Sequence, residues 1–195
     1  MKKYMGEEEV IKLNEALAKG RKYTVEEIEN MPENVRVELI DGVIYYQATP
    51  TANHQSLLMF LSGTIWSYIR ENQGKCSVFP APLALYLNQD SETYLEPDLM
   101  LVCDDRKIKQ NGVHSGPDVV MEIVSPSSKR RDYILKQNKY QKAGVREYWI
   151  LDPQSEMITI HRFETGMVEI HGFHETIAVD ILEGLEIDFS QYQKI

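Results

Sequence analysis

One carboxylate in this sequence stands where a carboxylate is costly. In GPDVVMEIVSPSS (116–128) apolar residues fall on both faces of the run from Asp118 to Ser125, the pattern of a strand covered on both sides. Side chains alternate along a strand, so Glu122 shares a face with Val120 and Val124. An unpaired buried carboxylate is strongly destabilising, so Glu122 has to be protonated, paired or bound to a cation. A second acid, Asp98, opens the preceding apolar run PDLMLVC (97–103), with Met100 and Val102 on its face. If the two runs pair, Asp98 and Glu122 leave the sheet on one side, where like charges repel unless a cation lies between them. Oxygen ligands completed by water suit Mg²⁺ or Mn²⁺. An ion held this way activates a water and stabilises charge developing on a phosphate.

A basic partner follows directly. From Lys129 to Arg146 there are seven basic residues and one acid, a local charge of +6 in a chain whose formal net charge is −9, which leaves −15 for the rest. SSKRRDYILKQNKYQKAG reads as a helix, with Ser127 or Ser128 as N-cap, Asp132 in the first turn and Gly144 just past the end. On a 3.6-residue period Asp132, Lys136, Tyr140 and Ala143 share a stripe. Tyr140 and Ala143 suit a sheet-facing side, which puts Lys136 within reach of the carboxylates, while Lys129, Arg130, Arg131, Lys139 and Lys142 stay nearer solvent. The competing reading of Lys136 is a surface lysine with its stem laid along the helix. The overall acidity argues against a chain coated in positive potential, and confines any nucleic-acid contact to this segment.

Three stretches in this order, EPDLMLV, GPDVVMEIVSPSS and RRDYILKQNKYQKAGVREYWILDP, resemble the Uma-type restriction endonuclease family, formerly a domain of unknown function. The upstream YTVEEIENMPENVRVELIDGVIYY fits the same pattern, so the resemblance covers roughly residues 22 to 190. It implies the PD-(D/E)XK nuclease superfamily: a restriction-endonuclease-like mixed β-sheet flanked by helices, an α/β (α+β) fold. It also implies roles. Asp98 corresponds to the PD aspartate, Glu122 to the acid of (D/E)XK, and Ile123 to the X residue whose carbonyl adds a ligand to Mg²⁺ or Mn²⁺. The motif lysine is replaced by Val124, and Lys136 is the candidate to supply the ammonium from the helix. Glu38, in VELIDG, resembles the family's early glutamate; an ordinary hairpin acid is the competing reading. Asp118, on the same strand face as Glu122, stands second to Asp98. DNA is the implied partner, with a homodimer as an open alternative to a monomer. The expectation is therefore a Mg²⁺-dependent endonuclease. The runner-up is a catalytically inactive nucleic-acid-binding relative, and the third reading a structural domain with a buried ion pair.

The rest of the chain must position these residues. At 195 residues without repeats or a linker, it reads as one domain, with 1–21 as an N-terminal helical extension. Residues 7–19 look amphipathic (Val10, Leu13, Leu17). Thr24 and Glu27 form a capping-box pattern. VRVELIDGVIYYQ reads as a hairpin about Asp41-Gly42, and 53–72 as a long helix with His54, Leu58, Leu61, Ile65 and Tyr68 on one stripe. CSVFPAPLALYL is a strand broken by prolines, DDRKIKQNGVHSG a polar loop, VREYWILDP a buried strand forming a hairpin with MITIHRF, and the tail supplies further short strands. His54 reads as a core histidine, with a phosphate contact as the sharper alternative. His171 and His174 would point to opposite faces, against a zinc pair. Tyr148 and Trp149 suit core packing, and Ser125, Ser127 and Ser128 turns and caps. No apolar run reaches the ~18 residues of a membrane span, no secretory signal pattern opens the chain, and Cys76 and Cys103 are expected as two buried thiols in a reducing cytoplasm.

Overall fold

The computed structural model describes residues 20–32, 35–87 and 91–195. The chain runs through helix α1 (Val25–Glu29), the hairpin β1 (Val37–Ile40) and β2 (Val43–Tyr46), and the long helix α2 (Ala52–Glu71). Strands β3 (Ser77–Pro80), β4 (Leu85–Tyr86), β5 (Tyr94–Leu95), β6 (Leu99–Val102), β7 (Ile108–Lys109), β8 (Gly112–His114) and β9 (Val119–Ile123) follow. A π-helical turn (Arg131–Lys136) then continues into α3 (Gln137–Lys142). The chain closes with β10 (Glu147–Asp152), β11 (Met157–Arg162), β12 (Met167–Gly172), β13 (Thr176–Ala178) and β14 (Glu186–Asp188). The helix expected over 7–19, and with it most of the 1–21 extension, lies outside the described residues.

Two six-stranded sheets carry the architecture. The central one has the order β12-β11-β10-β9-β6-β3 and is mixed: β9 and β10 are parallel, joined by the crossover helix, and its other pairings are antiparallel. The second has the order β2-β1-β5-β4-β8-β7, so the predicted hairpin is the edge of a sheet of its own. The hairpin turn falls at Asp41 and Gly42 as expected, both with positive φ, which is why a two-residue turn uses these types. Thr24 and Glu27 make both hydrogen bonds of the capping box at α1.

Each face of the central sheet is covered. On one side Leu57, Leu61 and Ile65 of α2 pack on Leu99, Leu101, Met121, Ile123 and Trp149. On the other, Met100, Val120, Val124 and Ile150 meet Tyr140 of α3 and Leu85, Leu95 and Val113 of the second sheet. Burying each such aliphatic side chain is worth about 1.5–3 kcal/mol. The doubly covered β9 explains its unbroken apolar pattern, and makes Glu122 the exception.

Two expectations are overturned here. Cys76 and Cys103 are disulfide-bonded, not free thiols. The reason is register: Ser77 pairs with Val102 in antiparallel β3 and β6, so the next residues out, Cys76 and Cys103, face one another across the strands. The stretch read as a polar loop holds a 3₁₀ turn (Asp105–Lys107) and the short β7–β8 hairpin. Gly112 belongs to that hairpin, and a Cβ there would lie 2.4 Å from the Ala84 carbonyl oxygen. The pairing is carried by backbone approach, with little apolar alternation to announce it.

Candidate active site

Strand register builds the first half of the site. β6 and β9 pair Leu99 with Met121 and Met100 with Val120. Continuing by one residue sets Asp98 across from Glu122 on the same face, at the ~5 Å Cβ spacing of cross-strand neighbours. The Asp98 carboxylate folds back on the strand and accepts a hydrogen bond from the Ile123 N–H (2.8 Å). The acid pair and the Ile123 backbone thus share one corner of the sheet.

The helix supplies the second half. Lys136 Nζ lies 2.8 Å from Glu122 Oε1, 2.8 Å from Glu38 Oε1 and 3.5 Å from Asp132 Oδ1. Tyr140 donates to the same Glu122 oxygen at 2.7 Å. Glu38 reaches in from β1, where it also accepts the Glu96 N–H (3.2 Å). Arg131 stands 4.0 Å from Glu38, with its guanidinium over the Tyr45 ring. It is largely buried, a correction to its placement near solvent. The helix expected as regular contains the π turn, whose wider winding encloses Asp132 and Lys136.

Val124, the position where the strand motif would carry lysine, is buried in the apolar cluster with Tyr140 and Val145. An ammonium there would face hydrocarbon. Lys136 reaches Glu122 from the helix instead.

The electrostatics follow from the balance of charges. Glu122 and Lys136 are each 3% exposed, and Glu38 and Asp132 are equally enclosed. Burial raises the Glu122 pKa well above the usual carboxylate range; Lys136 pulls it down, but Asp132, Asp98 and Glu38 push it up again. Burial alone would lower the Lys136 pKa, yet Glu122, Glu38 and Asp132 outweigh it and hold the ammonium charged. His54, close to the start of α2, puts Nε2 3.2 Å from Asp98 Oδ2. Burial acts to lower its pKa, and Asp98 together with the Ile123 backbone more than offsets this.

All of these groups line one cavity of about 610 Å³, which also takes in the Ser125–Lys129 turn, Gln47–Thr51 and Arg36. Among the described residues, no three His, Cys, Asp or Glu side chains are already arranged around an ion. The donor set nevertheless fits a divalent cation. Four carboxylates (Glu38, Asp98, Glu122, Asp132) face two permanent cations (Lys136, Arg131), and the buried Asp132 Oδ1 has no hydrogen-bond partner. Asp98, Glu122 and the Ile123 carbonyl are the oxygen ligands this corner offers.

Other residues singled out in the sequence are engaged outside the Glu122–Lys136 cluster. Asp118 is four residues along β9, roughly 13 Å away at 3.3 Å per residue, where it accepts the Cys103 N–H and faces Arg146. Lys129 pairs with Asp152 and Lys139 with Asp41. His171 lies between Glu169 and Glu175 on the far edge of the sheet. Among the site residues that sequence reasoning left out are His54, read by its apolar stripe as core, and Arg131. Their signal was position, since His54 follows the Thr51 cap of the helix beside Asp98, but no spacing rule links them to Glu122.

The chain matches a known family. Residues 25–190 match the Uma2 family model, described as "Putative restriction endonuclease", and the chain belongs to that family. Two relatives are proteins of Synechocystis sp., both called uncharacterized. One, slr1290, is 27% identical over 95 residues, covering 49% of this chain and 48% of its own. The other, sll1609, is 28% identical over 118 residues, covering 59% and 65%. The match thus spans about half of the first relative and just under two thirds of the second. Among solved structures, a crystal structure titled as a putative nuclease belonging to DUF820 from Anabaena variabilis superposes with a TM-score of 0.70. At 21% identity it covers 87% of this chain and 97% of that one, a likeness of fold.

Proposed function

We propose that this protein is a divalent-metal-dependent endonuclease that hydrolyses phosphodiester bonds of DNA. The observation that carries the reading is the Asp98–Glu122–Lys136 constellation on the wall of the cavity: two opposed acids on neighbouring strands, with an ammonium 2.8 Å from one of them. Family membership supports the reaction class.

Asp98 and Glu122, with the Ile123 carbonyl, would hold Mg²⁺ or Mn²⁺. Such an ion supplies Lewis-acid stabilisation of the phosphate and lowers the pKa of a water. The chain's own groups do the remaining work. Lys136 orients Glu122 and acts against the burial that raises its pKa, and its fixed positive charge favours the negative charge that accumulates during displacement. Glu38, Asp132 and Tyr140 hold Lys136 and Glu122 in one geometry, so no reorganisation is needed when substrate arrives. Arg131, Arg36 and Lys129 on the cavity lining offer contacts to the phosphate backbone, which position a nucleic acid without reading its sequence.

A second reading is a relative that binds nucleic acid without turning it over. It is favoured by apolar Val124 at the strand-lysine position and by the overall acidity, whereas the enclosure of the Lys136–Glu122 pair favours the third reading, a structural domain with a buried ion pair. Fluorescently end-labelled oligonucleotides separate the two. The enzyme cuts them with Mg²⁺ or Mn²⁺ and stops with EDTA. Binding by anisotropy with no cleavage under either ion assigns the protein to the second reading.

A further inference from the structure

The two edges of the central sheet are treated differently. β3 is four residues long and ends on Pro80, which fits the usual protection of an edge by brevity, proline or lysine. β12 ends the sheet on the other side, with β11 along one flank and, among the described residues, no strand along the other. It runs for six residues, MVEIHG, with neither proline nor lysine. Val168 and Ile170 stand on one face of it, 57% and 63% exposed. Register continues that face onto Met157, Thr159 and His161 of β11. No Asp, Glu, Lys or Arg stands on that face of the two strands, in a chain with 26% charged residues. Such an edge is a template for another strand.

The charges on the other face of β12 say which strand fits. His171 lies 3.2 Å from Glu169 and 2.8 Å from Glu175. Glu175 does most to raise its pKa, with Glu169 adding to this and partial burial opposing it, so the charged imidazolium is favoured. β12 thus carries an acid and a cation two residues apart, a pattern complementary to its own reverse. Laid antiparallel on a second copy about a two-fold axis at Ile170, Glu169 falls opposite His171 and His171 opposite Glu169. Ile170 then meets Ile170, and Val168 lies over Gly172, which has no side chain to crowd it. The neighbouring registers lose this match. An axis at Glu169 opposes two carboxylates and one at His171 two imidazoliums, and like charges directly opposite destabilise a strand pair.

We propose that β12 is the interface of a homodimer, pairing antiparallel with β12 of a second copy about an axis at Ile170. The contact is isologous and therefore closes at two chains. It joins the two central sheets into one and covers Val168 and Ile170 of both copies. The pairing is independent of the nuclease reading, and its test involves no cleavage.

Light scattering behind size exclusion, across a micromolar dilution series of the full chain, reads the mass. The wild type should run at twice the 22.6 kDa of one chain. Ile170→Lys should raise the dissociation constant about thirtyfold or more, the effect of a residue central to an interface. Met59→Lys, at an exposed position on α2, should leave the dimer intact. Introduced cysteines read the register, because Cys76 and Cys103 are already bonded to each other. Under copper–phenanthroline, Ile170→Cys should link to its own copy. Val168→Cys should not, since its counterpart lies about 13 Å away along the strand. A wild type that is monomeric throughout overturns the proposal, as does a dimer that Met59→Lys dissociates or that a folded Ile170→Lys leaves intact. Linking of Val168→Cys as fast as Ile170→Cys overturns it too, and that comparison stands even if Ile170→Lys does not fold.

Discussion

Lys136 is the residue on which the buried cluster turns. It is the ammonium shared by Glu38, Glu122 and Asp132, so removing it strands three enclosed acids. Breaking a buried pair from one side costs about 3–5 kcal/mol. Lys136→Met should therefore lower the melting temperature by many degrees as well as abolish cleavage, and a melt beside an activity assay checks both. Glu122→Gln behaves differently, because it removes one charge from a cluster with surplus acid. Burial raises the folded-state pKa of Glu122 above its unfolded value. Between those two values the folded protein keeps a proton that the unfolded chain has released, so stability falls as pH rises. Each pH unit inside that window costs about 1.4 kcal/mol. The metal-free wild type should lose melting temperature as pH rises above the ordinary carboxylate range, and Glu122→Gln should lose less. A variant with the same slope as wild type would mean that Glu122 is ionised throughout.

Among elements, the π turn does most to shape the site. Residues 131–136 wind wider than an α-helix, and both Asp132 and Lys136 in it are buried. Ile134 in the same turn is half exposed. Deleting Ile134 should restore α winding and rotate Asp132 by about 100° relative to Lys136 and Tyr140. The expected result is loss of cleavage with helical circular dichroism retained; unimpaired cleavage would show that the turn is incidental. The stripe Asp132–Lys136–Tyr140 was legible because period arguments identify which side chains share a face. The π winding was not, since one extra residue per turn leaves no mark in composition. Strand pairing divided the same way. β6 and β9 are apolar enough to be read as buried strands, with Asp98 at the Pro-Asp opening of the first and Glu122 inside the second. The Cys76–Cys103 bridge depends on the register between β3 and β6, which follows only once both strands are in place. The β7–β8 hairpin is polar and depends on Gly112, so no alternation marks it.

Across the whole molecule, charge is where the sequence misleads most. The +6 segment looks like a nucleic-acid surface, yet the fold spends much of it on local acids: Lys129 on Asp152, Lys136 on the cluster, Lys139 on Asp41, and Arg146 on Glu164. DNA affinity should accordingly be modest and concentrated at the cavity mouth. Charge reversal at Lys129 and Arg130 together should weaken binding to all sequences alike. It should also reduce the magnitude of the salt slope by about two, roughly one unit for each phosphate no longer neutralised. An anisotropy titration with an unaltered slope would place the nucleic-acid surface elsewhere.

Turnover at Asp98 and Glu122 is the central claim, and nicking of supercoiled plasmid measures it with little else involved. Wild type and Glu122→Gln are compared at equal concentration, with Mg²⁺ or Mn²⁺ and with EDTA, after melts confirm that both are folded. The predicted result is conversion of supercoiled to open-circular DNA by wild type with either ion, abolished by EDTA and reduced at least a hundredfold in Glu122→Gln. Nicking that survives in Glu122→Gln, or a folded wild type inert with both ions, would contradict it.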